Sequence, residues 1–297
     1  MQIRSNMRTG SSVQRSRWRS CLPGLALQLA ALLVTGWQSE AGIVVNLGKL
    51  ELELGPDARA TRELQVANTS AKAAEISVFA SDWTQDASGA VDAVDASKGP
   101  KAPESATGWI AVNPQRFLLQ KGEKKIVTIA IATPKGAMAL KEFRSMIFTE
   151  TSDVTKSEPG GAGRELQVRV IGRIGTKVFI RNPQGEAKVA CEVTKMSEGT
   201  RDGKRGLLIE AKNEGNVHVK SENSTVALRA PGGETVVTLP LAAFSILPGK
   251  SRILFCELPK AGESKLQAGR KYSALAVIDY GGSDLVAGEY ELAFQEE

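Results

Sequence analysis

The sequence predicts an all-β protein built as two β-sandwiches in tandem. After residue 41, nearly all of the chain divides into short segments in which apolar and polar residues alternate, and glycine, proline or other turn residues bound each segment. Long amphipathic helical patterns are absent from the sequence. Two stretches of similar sequence, one in each half, indicate that the second sandwich resembles the first.

The alternating segments are evenly spaced, as is typical of β-sandwiches. In the first half they are KLELEL (49–54), RELQVAN (62–68), AEISVFA (74–80), KIVTIAIA (125–132) and RSMIFTE (144–150). After Pro183 they continue as KVACEV, GLLIEAK, STVALRA, ETVVTL, RILFCEL, KYSALAVIDY and AGEYELAF. Two stretches rich in small, polar or turn-forming residues, 86–108 and 152–164, are predicted to be mobile loops.

The internal repeat consists of PQRFLLQKGEKKIVTIAIATPKG, which starts at Pro114, and PLAAFSILPGKSRILFCELPKAG, which starts at Pro240. In both copies an aromatic residue is followed five residues later by glycine, and an apolar strand then ends at Pro-Lys. We therefore expect two similar domains, with a boundary near RNPQGEA (181–187). The predicted domains are 42–183 and 184–297.

Residues 1–41 are predicted to be a signal peptide. They begin with a basic region without acids, and the apolar stretch LALQLAALLVTGW (25–37) follows. This stretch is too short to span a bilayer comfortably. Small residues at Ser39 and Ala41 suit a signal peptidase, so the mature chain would begin near Gly42. An uncleaved membrane anchor is the alternative interpretation.

Removal of this segment changes the charge of the protein. The full chain has 38 basic and 33 acidic residues, but residues 1–41 contain five arginines and one acid, Glu40. The mature chain then has 33 basic and 32 acidic residues and a net charge of +1. Its overall basic character therefore gives no support for a nucleic-acid partner.

The sequence contains no familiar catalytic or metal-binding motif. Its single histidine, His218, is predicted to be structural. Cysteine and histidine spacings typical of zinc sites, phosphate-binding loops and nucleophile elbows are all missing. We therefore expect a binding protein rather than an enzyme, with no metal, cofactor or small-molecule substrate. An unfamiliar active site within loops 86–108 and 152–164 is the remaining enzymatic alternative.

Two cysteines, Cys191 and Cys256, remain after signal removal. An exported chain meets oxidising conditions, so a disulfide between them is one interpretation. The other is a pair of buried free thiols. We favour the thiols, because Cys191 alternates with Val189 and Val193 and would face inward, and because spacing alone cannot show that the pair are neighbours.

Four segments of the first half carry a resemblance to a known family. ANTSAKAAEISVFASDWTQDASG, NPQRFLLQKGEKKIVTIAIATP, KEFRSMIFTE and VIGRIGTKVFIRNP follow one another in this order. They resemble periplasmic pilus-assembly chaperones of the PapD-like superfamily, and WTQD (83–86) and EFRS (142–145) look closest to its archaic chaperone–usher branch. The resemblance covers residues 43–183 well and the second domain only loosely, where NEGNVH and DYGG depart from the pattern.

The resemblance implies a fold and a function. Such chaperones have two immunoglobulin-like domains with a cleft between them, and they bind pilin-like subunits that lack their last strand. Residues 165–180 would be the donor strand, and Leu166, Val168 and Val170 would fill the open core of the subunit. Gly172 stands where the family's third such residue would be, which implies a shallower plug. An outer-membrane usher would be a further partner.

The resemblance also assigns roles to charged residues. In the family, a lysine near the end of the donor strand grips the C-terminal carboxylate of the pilin, and KVFIR places Lys177 and Arg181 in the positions of that anchor and of an interdomain ion pair. Lys49 is the nearest candidate for the family's second anchoring base. The alternative for Lys177 and Arg181 is ordinary solvated charge. For the whole protein, the alternative is a cell-envelope adhesin or scaffold of immunoglobulin-like modules.

Overall fold

The structure, a computed structural model, describes residues 42–94, 102–151, 155–160, 164–169, 171–260 and 262–295, with the backbone alone for 155–160 and 164–169. The predicted signal peptide and Val170 lie outside these residues. Strands are the main regular structure of the described chain, with a single 3₁₀ turn at Thr107–Trp109, which confirms the predicted all-β class. Among the described residues, no helix has the length and apolarity needed to cross a membrane.

Two sheets form the first sandwich. One has the order β1 (Ile43–Val45), β3 (Arg59–Asn68), β8 (Lys124–Ala132), β6 (Ile110–Asn113). The other has the order β2 (Lys49–Glu53), β12 (Gly172–Arg181), β9 (Glu142–Thr151), β4 (Ala74–Gln85), β5 (Val91–Val94), and β7 (Arg116–Leu119) also pairs with β4. Alternating apolar side chains from both sheets meet in one core, which includes Leu64, Ile129, Ile76, Ile147 and Ile180.

The second sandwich repeats this arrangement on its own core. One sheet is β13 (Cys191–Arg201), β14 (Lys204–Asn213), β19 (Ser251–Glu257), and the other is β17 (Thr235–Pro240), β16 (Thr225–Arg229), β20 (Lys271–Ile278), β21 (Val286–Ala293). A short pair, β15 (Val219–Ser221) and β18 (Phe244–Ile246), completes it. Residues 182–190 connect β12 to β13, and the exact domain boundary stays a prediction.

The sequence repeat corresponds to a repeated hydrogen-bond pattern. In the first sandwich, the buried amide of Asn68 donates to the carbonyl oxygens of Lys72 and Leu119, and the backbone carbonyl of Asn68 accepts from Gly122 at 2.9 Å. In the second sandwich, Asn213 makes the equivalent bonds to Val217, Ile246 and Gly249. Both glycines have positive φ, of 75° and 69°, which favours glycine at this turn. The two sandwiches therefore share a local structure as well as a pattern.

The predicted long strand over 165–180 is divided in the structure. Its first part is β11 (Arg164–Arg169), which pairs antiparallel with β10 (Thr155–Gly160), and its second part is β12. The predicted loop 152–164 therefore contains a strand, and the predicted loop 86–108 contains β5. In both cases the turn-like composition suggested a loop, whereas an antiparallel neighbour supplies the hydrogen bonds of a strand.

Cys191 and Cys256 are free thiols, and both are buried. Cys191 lies opposite Asn213 of β14, whereas Cys256 lies opposite Leu207 of the same strand. Six residues of β-strand span roughly 20 Å, and a disulfide needs Cα atoms within about 7 Å, so this fold excludes a bond between them. Burial raises the pKa of the Cys191 thiol to about 11 and that of the Cys256 thiol to about 12.

Candidate functional site

The KVFIR segment of β12 presents two different faces. Val178 and Ile180 are fully buried in the core of the first sandwich. Lys177, Phe179 and Arg181 alternate with them and therefore occupy the opposite face of the sheet. Phe179 on this face contacts the second sandwich, because its ring stacks on the His218 ring with 3.9 Å between centroids. The strand thus anchors the first core and also forms part of the contact between the sandwiches.

Three cations at a spacing of four lie on this outer face of β12: Arg173, Lys177 and Arg181. The antiparallel strand β9 places Glu150 opposite the first and Glu142 opposite the last, and each forms an ion pair with its arginine. Met146 lies opposite the middle cation, Lys177. Within the described part of the chain, no carboxylate forms an ion pair with Lys177.

Lys177 is half-buried, and its surroundings disfavour an isolated positive charge. Its Nζ lies 5.2 Å from the centroid of the Trp83 ring. Lys49, the other predicted anchor, lies directly opposite Lys177 on the parallel strand β2. Burial, the Arg252 guanidinium and the Lys49 ammonium together lower the pKa of Lys177. The structure thus brings both predicted anchor residues together, in a place where an anion would be stabilised.

Lys49 differs from Lys177 because Lys49 forms an ion pair with an acid. Its Nζ lies 2.9 Å from Oε1 of Glu51, two residues along β2 on the same face. Burial alone would raise the pKa of Glu51, but the hydrogen bond and charge of Lys49, with the charges of Lys220 and His218, lower it to about 2. Glu51 is therefore ionised at neutral pH and shields the charge of Lys49.

Arg252, on β19, brings a third cation to this region from the second sandwich. Its guanidinium donates to the carbonyl oxygen of Ser245 at 3.1 Å and lies so close to Gly89 that a Cβ on this glycine would collide with it. The neighbouring Ile253 N–H donates to the carbonyl of Ala87 at 2.7 Å. Sequence reasoning missed Arg252, because contact between distant strands brings it here and no local motif marks it.

An apolar cluster forms the floor beneath these cations, and its buried members are Trp83, Met146, Phe148, Phe179 and Leu247. The Trp83 indole N–H donates to the carbonyl of Ser145 at 3.1 Å, which fixes the ring under Lys177. Leu247 belongs to the second sandwich and packs onto residues of the first. The ammonium of Lys177 therefore lies against a rigid, poorly hydrated surface, where electrostatic attraction to an anion is stronger than in water.

The predicted interdomain ion pair of Arg181 requires a correction. Its partner is Glu142, directly opposite on the neighbouring strand of the same sheet, with 3.5 Å between the charged atoms. Glu142 itself makes the connection to the second sandwich, because it accepts from the backbone N–H of His218 at 2.8 Å and faces Nδ1 of the same residue at 2.8 Å. His218 is thus an interdomain contact, beyond the structural role predicted for it.

Part of the predicted donor strand has no strand neighbour on one side among the described residues. In β11, Leu166 lies opposite Glu158 and Val168 opposite Lys156, whereas Val170 is outside the described residues. Among the described strands, β11 pairs only with β10, and β12 meets β2 only from Lys177 onward. On the side away from β9 and β10, Arg164–Arg169 and residues 172–175 therefore have no described strand neighbour.

The described residues contain no group of three or more histidine, cysteine, aspartate or glutamate side chains that could hold a metal ion. The strand edge and Lys177 offer groups for non-covalent binding. An open strand edge can accept a further strand through backbone hydrogen bonds, and a half-buried ammonium near the end of that edge can hold an anion.

No family model matches the chain, and no curated protein sequence does either. Solved structures, in contrast, do match the chain. The E. coli chaperone DraB is 16% identical, with 86% of this chain and 97% of that chain covered and a TM-score of 0.39. The chaperone–tip adhesion subunit complex CsuC–CsuE, from the archaic chaperone–usher Csu pili of Acinetobacter baumannii, is 13% identical, with 84% and 98% covered and a TM-score of 0.39.

A third similar structure is the Salmonella enterica SafA pilin in complex with the SafB chaperone, which is 11% identical, with 85% of this chain and 96% of that chain covered and a TM-score of 0.37.

Proposed function

We propose that this protein is a periplasmic chaperone that binds incomplete pilin-like subunits by donor-strand complementation during fimbrial or pilus assembly. One observation carries the proposal: a strand edge without a described neighbour leads to Lys177, and of Arg173, Lys177 and Arg181 it is the one that has no acid opposite it on β9. The two features occur together on one continuous segment of chain. A partner strand that ends in a carboxylate matches both of them.

The edge supplies the affinity of strand addition. A strand without a neighbour has unpaired backbone N–H and C=O groups, and a subunit that lacks one strand exposes the complementary row. Alternate residues of the donor, Leu166, Val168 and Val170, would then fill the open core of the client. Gly172 follows at the next alternate position and offers no side chain, so the client's core needs to be filled by its own residues there.

Lys177 would set the register in which the client strand pairs with the chaperone. A client carboxylate at Lys177 would relieve the repulsion from Lys49 and Arg252 and would replace the water lost on burial. Because such a charge-assisted contact is available only at the end of the client strand, it fixes how far that strand extends along the edge. The chaperone acts by binding alone, without a cofactor, and an outer-membrane usher would receive its complex.

The alternative, a cell-envelope adhesin or scaffold that transfers no subunit, makes a different demand on β11. A scaffold has no use for an unpaired edge, which is a risk for aggregation, and would cover it with its own chain. Within the described residues, β11 belongs to a two-stranded sheet with β10 and to neither large sheet of the first sandwich. This arrangement favours a strand that is offered to a partner.

A periplasmic pull-down tests the proposal. The tagged wild-type protein should copurify with an equal amount of a small β-protein, and Lys177→Met should lose most of it. Arg173→Met is the matched control, since this residue lies on the same strand and face but has Glu150 as its acid. Recovery of no β-protein by the wild type would overturn the proposal, and equal loss in both variants would overturn the anchor.

A further inference from the structure

We propose that His218 is a positioning residue, which as an imidazolium ties the second sandwich to the first and, through Glu51, orients Lys49. The proposed effect on Lys49 rests on the proposed function. The contact between the two sandwiches does not depend on that function. His218 lies on β15 of the second sandwich, and both of its acidic partners lie on strands of the first.

The charge of the ring follows from the number of hydrogens that the geometry needs. Nδ1 lies 2.8 Å from Oε2 of Glu142, and Nε2 lies 3.1 Å from Oε1 of Glu51. An ionised carboxylate only accepts hydrogen bonds, and a neutral imidazole has one N–H. Both contacts are hydrogen bonds only when both ring nitrogens carry hydrogen. A neutral ring would leave one lone pair pointing at a carboxylate.

The contact of the ring with Glu142 is buried, and charged groups of both signs lie around it. The His218 and Glu142 side chains are each 3% exposed, so their contact is shielded from water and from salt. Glu142 also faces the cation of Arg181, and Glu51 faces those of Lys49 and Lys220. Glu53 lines a cavity of about 210 Å³ together with His218, Glu51 and Glu142. The Phe179 ring stacks on the imidazole.

Glu51 connects the histidine to the anchor. Its Oε1 atom is shared between His218, at 3.1 Å, and Lys49, at 2.9 Å, while its Oε2 atom lies 3.4 Å from Lys220. The position of this carboxylate, and with it that of the Lys49 ammonium, therefore depends on the second sandwich. Loss of the proton on Nε2 of His218 removes one of the bonds that hold Glu51 in place.

The chain has a single histidine, so its ring can be observed without interference. In a ¹⁵N–¹H spectrum at about pH 7.5, where an ordinary histidine is mostly neutral, both ring nitrogens of the wild type should carry hydrogen. Glu51→Gln removes the carboxylate that faces Nε2, so the signal of the hydrogen on Nε2 should weaken in this variant. Glu53→Gln is the matched control, because it lies on the same strand and face without a bond to His218, and should change it little.

A wild-type ring with hydrogen on one nitrogen alone at about pH 7.5, or an equally strong Nε2 hydrogen signal in the wild type and in Glu51→Gln, would overturn the proposal. Should Glu51→Gln fail to fold, the spectrum of the wild type decides alone. A client is not needed, so the result is separate from the pull-down.

Binding of the recovered client then tests the proposed effect on Lys49: affinity should fall between about pH 5 and about pH 8 in the wild type and stay flat in His218→Gln. The same pH dependence of client affinity in the wild type and in His218→Gln would show that His218 does not orient Lys49.

Discussion

Lys177 and Lys49 lie directly opposite each other in the parallel strand pair of β12 and β2. Like charges at directly opposite positions destabilise a sheet. Glu51 relieves Lys49 of this repulsion, but Lys177 has Met146 on its other side and forms no ion pair with an acid of the described chain. The isolated protein therefore keeps a half-buried charge unpaired, and removal of this charge and binding of an anion should each have measurable effects.

Lys177→Met should make the isolated protein more stable at neutral pH. The pKa of Lys177 is lowered from 10.5 in the folded protein, so the unfolded chain holds this proton more tightly than the folded one. Stability therefore rises with pH as the folded protein loses the proton first, and the advantage of Lys177→Met should shrink toward about pH 10. Urea unfolding of both proteins at several pH values measures this.

Arg173→Met serves as the control for that experiment, because it removes a cation from the same face that already has an acid. It should bring no gain at any pH. A lower stability of Lys177→Met at neutral pH would mean that the lysine is satisfied within the protein, and the basis for an anion site would disappear.

Polar replacements at the predicted plug residues should weaken client capture and leave the isolated fold intact. Under the proposed function, Val168→Thr and Val170→Asp change side chains that enter the core of the client. The loss of one buried apolar side chain costs about 1–3 kcal/mol, or roughly 5- to 150-fold in affinity. Affinity for the recovered client and the melting temperature of the chaperone alone are the two measurements. A sharply lower melting temperature would instead support the scaffold interpretation.

The alternation of apolar residues was sufficient to predict the class of fold and most strands, because an inward-facing residue at every second position is a local property. Val178 and Ile180 are an example, and the same rule places Lys177 and Arg181 on the other face. The partners of those two cations could not be predicted. Glu142 lies opposite Arg181 because of the register of a strand some forty residues away in the sequence. His218 and Arg252 come near these cations because the two sandwiches are in contact.

The corrected ion-pair network makes a prediction about which residue matters most. Glu142→Ala should destabilise the protein by about 3–5 kcal/mol, because it leaves the His218 donors and Arg181 without their buried acceptor. Arg181→Ala should cost within about 1 kcal/mol, since its side chain is 37% exposed and its ion pair is long, at 3.5 Å. Urea unfolding compares them. The reverse order would restore Arg181 as the main link between the sandwiches.

The carboxylate anchor is tested most directly by changing both partners of the proposed contact. Synthetic peptides with the C-terminal strand of the recovered client, ending in either a free carboxylate or an amide, would be titrated by calorimetry at fixed salt into wild type and Lys177→Ala. Truncation of one partner of a partly desolvated charge pair costs about 2–5 kcal/mol, so the alanine variant and the amidated peptide should each lose most of the affinity. Lys177→Arg keeps the charge but changes its shape, and should lose part of it. If the two groups meet, the combination of Lys177→Ala with the amidated peptide should be little worse than either change alone. Additive losses would mean that the carboxylate binds elsewhere, with Arg252 as the next residue to replace.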